Sequence, residues 1–169
     1  VNIDKSGFAE YIEKLSAAAG IPISGYRDVE KALAARLDFF CEHGCRASDH
    51  GLDFVPFAEA TPAELEDVFA KAVSGKKISA EEAEQYKTEI LCFLGREYAR
   101  RGIVMQLHYG VQRNTNSEMF SRLGADAGFD CISVRDCGEK ITAFLNALQM
   151  ENALPKTVIY SLNPNDNEL

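Results

Sequence analysis

Three short segments carry groups able to do acid–base or ligand chemistry at the ends of apolar runs. Residues 103–116 read IVMQLHYGVQRNTN, an apolar run that breaks into His108, Gly110, Gln112, Arg113, Asn114 and Asn116. A histidine where a strand gives way to a loop can ligate a metal, move a proton or donate to a substrate oxygen. It can equally be a structural histidine bonded to a nearby carbonyl. Residues 45–51, CRASDHG, put Asp49 beside His50. A carboxylate next to an imidazole can fix its tautomer or share a metal, and Asp before His-Gly is also ordinary turn chemistry. Arg113 follows a glycine loop and could clamp a carboxylate with its planar fork, or form an ion pair on an acidic surface. Residues 156–167, KTVIYSLNPNDN, end in Asn163, Pro164 and Asn165, a binding edge or a stiff turn. Asn114 and Asn116 read as helix caps, and His43 as a last-turn residue suited to the helix dipole, with no functional role.

Cys41, His43, Cys45 and His50 are close in sequence, but their spacing fits no zinc-finger pattern. The better reading puts Cys41 on a helix face and Cys45 at the start of a buried strand. The five cysteines include Cys92, Cys131 and Cys137, an odd number with no C-x-x-C pair. That fits reduced thiols in a cytoplasm better than a disulfide framework. There is no H-x-H pair, G-x-G-x-x-G, P-loop or G-x-S-x-G. His108 alone cannot make a metal site, because catalytic zinc takes three protein ligands.

The elements that position these groups alternate. Helices are expected over 6–19 and 28–43, the second with Val29, Leu33, Leu37 and Phe40 on one face. A strand near 45–48 follows. Thr61-Pro62-Ala63-Glu64 and Ser79-Ala80-Glu81-Glu82 are capping boxes, opening helices to about Val73 and to Arg101. A strand near 103–108 comes next, continuous enough to be covered on both faces. A short helix spans 117–123, and Asp136-Cys137-Gly138-Glu139 caps another to about Met150. A strand near 157–162 closes the chain. Buried strands alternating with long helices pair in parallel through right-handed crossovers. Three strands are part of a (β/α)₈ barrel or of a doubly wound sheet.

At 169 residues the chain is a single domain, 1–169, large enough for a real core. Its net charge of −8, with no Lys/Arg cluster, argues against nucleic acid or an anionic membrane as partner. No apolar run approaches the roughly 20 residues of a membrane-spanning helix. The chain begins at Val1 without an initiator methionine, and Asp166-Asn167-Glu168 reads as a helix's first turn cut short at Leu169. A piece of a longer protein is the expectation.

MQLHYGVQRNTNSEMFSRLGADAGFDCIS and LPKTVIYSLNPNDNE resemble the uronate (glucuronate) isomerase family, and CRASDHGLDF resembles its fourth-strand segment. The resemblance runs over nearly the whole chain. It implies a helix-rich α/β fragment of a (β/α)₈ TIM barrel of the metal-dependent amidohydrolase superfamily. The implied reaction interconverts D-glucuronate with D-fructuronate, and D-galacturonate with D-tagaturonate. A proton moves between C2 and C1 through an enediol, with a divalent metal, usually zinc, in the pocket. On this resemblance the chain holds strands four, five and six. His108 falls at the end of the fifth, facing the metal pocket, Asp49 and His50 at the fourth, and Asn163 at the sixth. His108, His50 and Asp49 are then the catalytic candidates, and Arg113 and Asn163 the substrate-binding ones. The family's first-strand histidine pair, and its metal-binding aspartate with a nearby arginine after the eighth strand, are not among these residues. His108 is the one residue here offered to the metal. The fragment alone is therefore expected to lack isomerase activity and a tight metal site. Its open sheet edges make a homo-oligomer an expectation as well.

Two other readings compete. A hydrolase of the same superfamily would show its own ligand set and no arginine suited to a sugar carboxylate. A non-catalytic helical interaction module would tolerate replacement of His50, His108 and Arg113.

Overall fold

The computed structural model describes residues 2–135 and 138–168. Helix α1 (Phe8–Ala19) and helix α2 (Tyr26–Glu42) precede strand β1 (Ala47–Gly51). Helices α3 (Pro62–Val73) and α4 (Ala80–Arg101) lead to strand β2 (Val104–Tyr109). A two-residue strand β3 (Val111–Gln112), helix α5 (Ser117–Leu123) and a two-residue strand β4 (Cys131–Ile132) follow. Helix α6 (Gly138–Met150), strand β5 (Thr157–Ser161) and a 3₁₀ turn at Pro164–Glu168 complete the chain. Asp136 and Cys137, expected to cap α6, lie outside the described residues, as do Val1 and Leu169.

Both capping boxes form. Thr61 accepts from the amide of Glu64 while the Glu64 carboxylate accepts from the amide of Thr61, and Ser79 and Glu82 repeat the exchange. Each satisfies helix-end amides that have no partner within the helix. Thr61→Ala is expected to cost about 1 kcal/mol, read as a lower denaturant midpoint.

Strands β1, β2 and β5 form one parallel sheet in the order β1-β2-β5. This is the helix-rich, three-stranded α/β arrangement expected. The register sets Asp49 against Gln106, and Gly51 against His108. It also sets His108 against Tyr160. Side chains alternate between faces along a strand. One face carries Met105, Leu107 and Tyr109, all buried against the helices with Leu91 and Tyr98 of α4 and Phe144 and Leu148 of α6. The other carries Asp49, Gln106, His108 and Tyr160. Among the described residues, β2 is therefore covered on one face rather than on both as its apolar run suggested. Gln106 and His108 are the alternation that the run conceals.

Two local expectations are corrected. Strand β1 runs from Ala47 through Gly51, so Asp49 and His50 lie within it rather than beyond its end. Pairing with β2 extends the strand through a polar stretch with no apolar signal. Phe40 is not a core residue of α2 but is 46% exposed, with the Arg36 guanidinium over its ring. The buried face of α2 is Tyr26, Val29, Glu30 and Ala32.

α4 and α6 approach closely at Gly95, where an added Cβ would stand 2.6 Å from Cδ1 of Leu148. Among the described residues no helix is long and apolar enough to cross a membrane.

Candidate functional site

The polar face of the sheet gathers its groups by register. Asp49 sits on β1, one pleat below the row in which Gly51, His108 and Tyr160 lie side by side across the three strands. Nε2 of His108 is 3.1 Å from Oδ1 of Asp49. The rings of His108 and Tyr160 stack, with centroids 4.3 Å apart and planes inclined by 27°. His108 is half-exposed and Asp49 more so, because among the described residues no helix covers this face. A carboxylate and an imidazole in contact on an open surface can pass a proton or share a cation. This pair joins two of the expected residues. Tyr160 and Gln106 share the face and were not anticipated. The signal was the alternation of His108 with Gln106 on β2, which only the pairing register extends to the next strand.

His50 is not part of this group. Strand alternation turns it to the opposite face, where its Nε2 lies 3.0 Å from the Tyr98 hydroxyl of α4. Asp49 and His50 are neighbours in sequence but point apart, so the expected carboxylate–imidazole unit is Asp49 with His108 instead. Burial drives the His50 imidazole down to about 4, against the opposing pull of the Asp49 charge. Burial also pushes the Tyr98 phenol up to about 12. The consequence for stability has a definite sign. As pH falls below the ordinary imidazole range near 6.5, the unfolded chain takes up a proton that folded His50 refuses. Stability is then lost progressively down to about pH 4, by on the order of 3 kcal/mol, and is fully present above about pH 6.5. His50→Gln is expected to flatten this part of the acid dependence, measured as thermal midpoints from pH 7 to pH 4.

Arg113 lies in the loop beyond β3. Its Nη1 reaches Oδ1 of Asp126 at 3.2 Å and Oδ2 of Asp130 at 3.0 Å. Oδ1 of Asp130 in turn accepts from the Asn114 amide at 2.8 Å. The guanidinium is thus fixed by two carboxylates of its own chain, the ion-pair alternative of the sequence reading. It still faces a cleft of about 400 Å³ whose walls include Lys5, Asp53, Phe54 and Arg135. Asn116 caps α5, accepting from the Met119 amide at 3.0 Å. Asn114 instead adopts φ 56, a left-handed turn position that asparagine tolerates, and caps no helix.

Asn163 is buried at the end of β5 and serves its turn. Its Oδ1 accepts from the Asn165 amide at 3.2 Å and its own amide donates to Ser161 Oγ at 3.0 Å. Ser161 Oγ also donates to Asp166 at 2.6 Å. This knot lies against Gly110, at φ 85, where a Cβ would come within 3.2 Å of Ser161 Oγ. The turn alternative is present for Asn163.

The cysteine and histidine cluster does not assemble. His43 Nδ1 lies 2.8 Å from the Phe39 carbonyl, and Cys45 Sγ donates to the Ala47 carbonyl. Among the described residues no group of three His, Cys, Asp or Glu side chains has the geometry to hold a metal ion.

The sequence matches the glucuronate isomerase family over residues 1–169. The fold superposes on uronate isomerase from Thermotoga maritima with a TM-score of 0.89 at 33% identity, over 97% of this chain and 36% of that one. It superposes on glucuronate isomerase from Caulobacter crescentus with a TM-score of 0.84 at 23% identity, over 96% of this chain and 34% of that one, a likeness of fold. The chain thus spans about a third of the length of the solved enzymes it matches.

Proposed function

The chain belongs to the glucuronate isomerase family, and from that premise we propose that the open face of its sheet forms part of the active site of an aldose–ketose isomerase of uronates. The substrates are D-glucuronate and D-galacturonate, converted to D-fructuronate and D-tagaturonate in the cytoplasm. The observation that carries this reading is the Asp49–His108 pair, 3.1 Å apart on the sheet face opposite the buried row Met105, Leu107 and Tyr109.

The reaction needs a proton carrier between adjacent carbons. A base takes the C2 proton of the aldose and the C1 oxygen gains a proton, giving the enediol. O2 then loses its proton as the C2 carbonyl forms, and C1 takes one up. Nothing is gained or lost overall. Asp49 and His108 are the groups able to accept and return that proton. Arg113 borders the cleft with Lys5, Asp53 and Arg135, and its cations are the groups suited to the uronate carboxylate. A divalent metal, zinc by the usual preference of the family, would supply polarisation of the carbonyl oxygen. His108 is the one donor this segment would offer it, a role that would exclude proton transfer at the same nitrogen. A catalytic zinc takes three protein ligands, so these residues do not complete a site, and the segment alone is inactive and holds no metal tightly. The unpaired edges of β1 and β5 would pair with further strands of the barrel or with a second copy.

The test is isomerisation of D-glucuronate by a full-length protein containing this segment, followed by appearance of the 2-keto sugar acid. Turnover is the expected result. A full-length protein inert toward both uronates would overturn the assignment.

A further inference from the structure

We propose that Tyr160 is a positioning residue for His108, its ring serving as the wall against which the imidazole is held for proton transfer. This rests on the isomerase reading and adds to it a residue on a different strand.

The row Gly51–His108–Tyr160 is asymmetric. On one side of the imidazole stands the Tyr160 ring, stacked at 4.3 Å. On the other side Gly51 has no side chain, and a Cβ placed there would meet nothing within 4 Å. The backbone of Gly51 does not need a glycine, since its φ is not among the positive ones. Glycine inside a strand weakens it and often marks a place where a ligand comes close to the sheet. The imidazole is therefore walled on one flank and open on the other, toward Gly51.

Asp49 alone holds the ring loosely. Its side chain is 71% exposed, and an exposed charged contact does little to immobilise a side chain. A stacked aromatic ring restricts the plane of the imidazole as well as its position. Tyr160 is not itself part of the hydrophobic core. It is 45% exposed, on the face opposite the helices. Its place beside His108 is set by the β2–β5 register rather than by packing beneath it, so its replacement should leave the fold in place.

The experiment uses the full-length enzyme with ¹³C-labelled histidine rings, assigned through His108→Asn. Stacking predicts upfield ring-current shifts of the His108 ring protons in the wild type and in Tyr160→Phe, lost in Tyr160→Val. In parallel, Tyr160→Val should lower kcat for D-glucuronate by about 10- to 100-fold with KM changed less, the cost of a reacting group misplaced by around an ångström. Tyr160→Phe should keep kcat within about threefold, because the stack and not the hydroxyl does the positioning. Should the valine variant fail to fold, Tyr160→Leu removes the ring with less loss of volume. Wild-type kcat in the unstacked variant would overturn the proposal, as would an unshifted His108 ring in the wild type. Loss of activity in Tyr160→Phe as large as in Tyr160→Val would also overturn it, assigning the hydroxyl a direct part. A wild type that isomerises no uronate would bring down the isomerase reading, whereas an active enzyme indifferent to Tyr160 brings down this inference alone.

Discussion

His108→Ala in the full-length enzyme is expected to lower kcat/KM for D-glucuronate by at least ~100-fold, the lower range of what a positioned acid–base group contributes. The fold should survive. The His108 side chain is 48% exposed and lies on the face of β2 turned away from the core. Its contacts there are the Asp49 carboxylate and the Tyr160 ring, neither of them buried. Thermal midpoint and metal content measured on the same preparation separate its roles. Activity lost with metal retained makes His108 a proton carrier or substrate contact. Activity and metal lost together makes it a ligand. Full activity would remove it from the site.

The adjacent residue predicts the opposite. Leu107→Ala should cost about 2–5 kcal/mol of stability, as large-to-small changes in closed cores do. Leu107 is fully buried, one position before His108 and on the other face. It belongs to the same buried cluster as Leu91 of α4 and Phe144 of α6, both fully buried. A cavity there cannot be filled by water and collapses only in part. Chemical denaturation should show the loss directly, with kcat per folded molecule changed far less than in His108→Ala. Equal stability for the two variants would mean that β2 does not face the helices as described.

Much of this arrangement was legible in the residues. The two capping boxes located the starts of α3 and α4 because their chemistry is local. Strands β2 and β5 stood out as apolar runs beginning after Gly102 and Pro155. Strand β1 was harder, because Ala-Ser-Asp-His-Gly has no apolar periodicity and is a strand only through its ladder with β2. The β3–β4 ribbon is two residues on each side. It is bounded by contacts between distant residues, such as Thr115 with Phe129 and Asn114 with Asp130, which leave no periodic trace.

The site was legible in its residue types more than in its grouping. Asp49 and His108 were both candidates, but adjacency in sequence favoured Asp49 with His50. Strand alternation separates that pair, and register supplies His108 from 59 positions further along the chain. Tyr160 enters by the same register, which no single strand discloses. Asn163 and Arg113 were each balanced between a binding role and a local one. The local one is present for both, a turn for Asn163 and an ion pair for Arg113, and Arg113 additionally borders the cleft.

The most direct measurement is a crystal structure of the full-length enzyme with a bound sugar diacid, which carries the uronate's hydroxyls and carboxylate but has no carbonyl to isomerise. The account predicts the ligand over the open face of the sheet, on the Gly51 side of the His108 ring and within hydrogen-bonding distance of His108 or Asp49. A ligand bound elsewhere, with the Asp49–His108 pair sealed beneath other side chains, would contradict it.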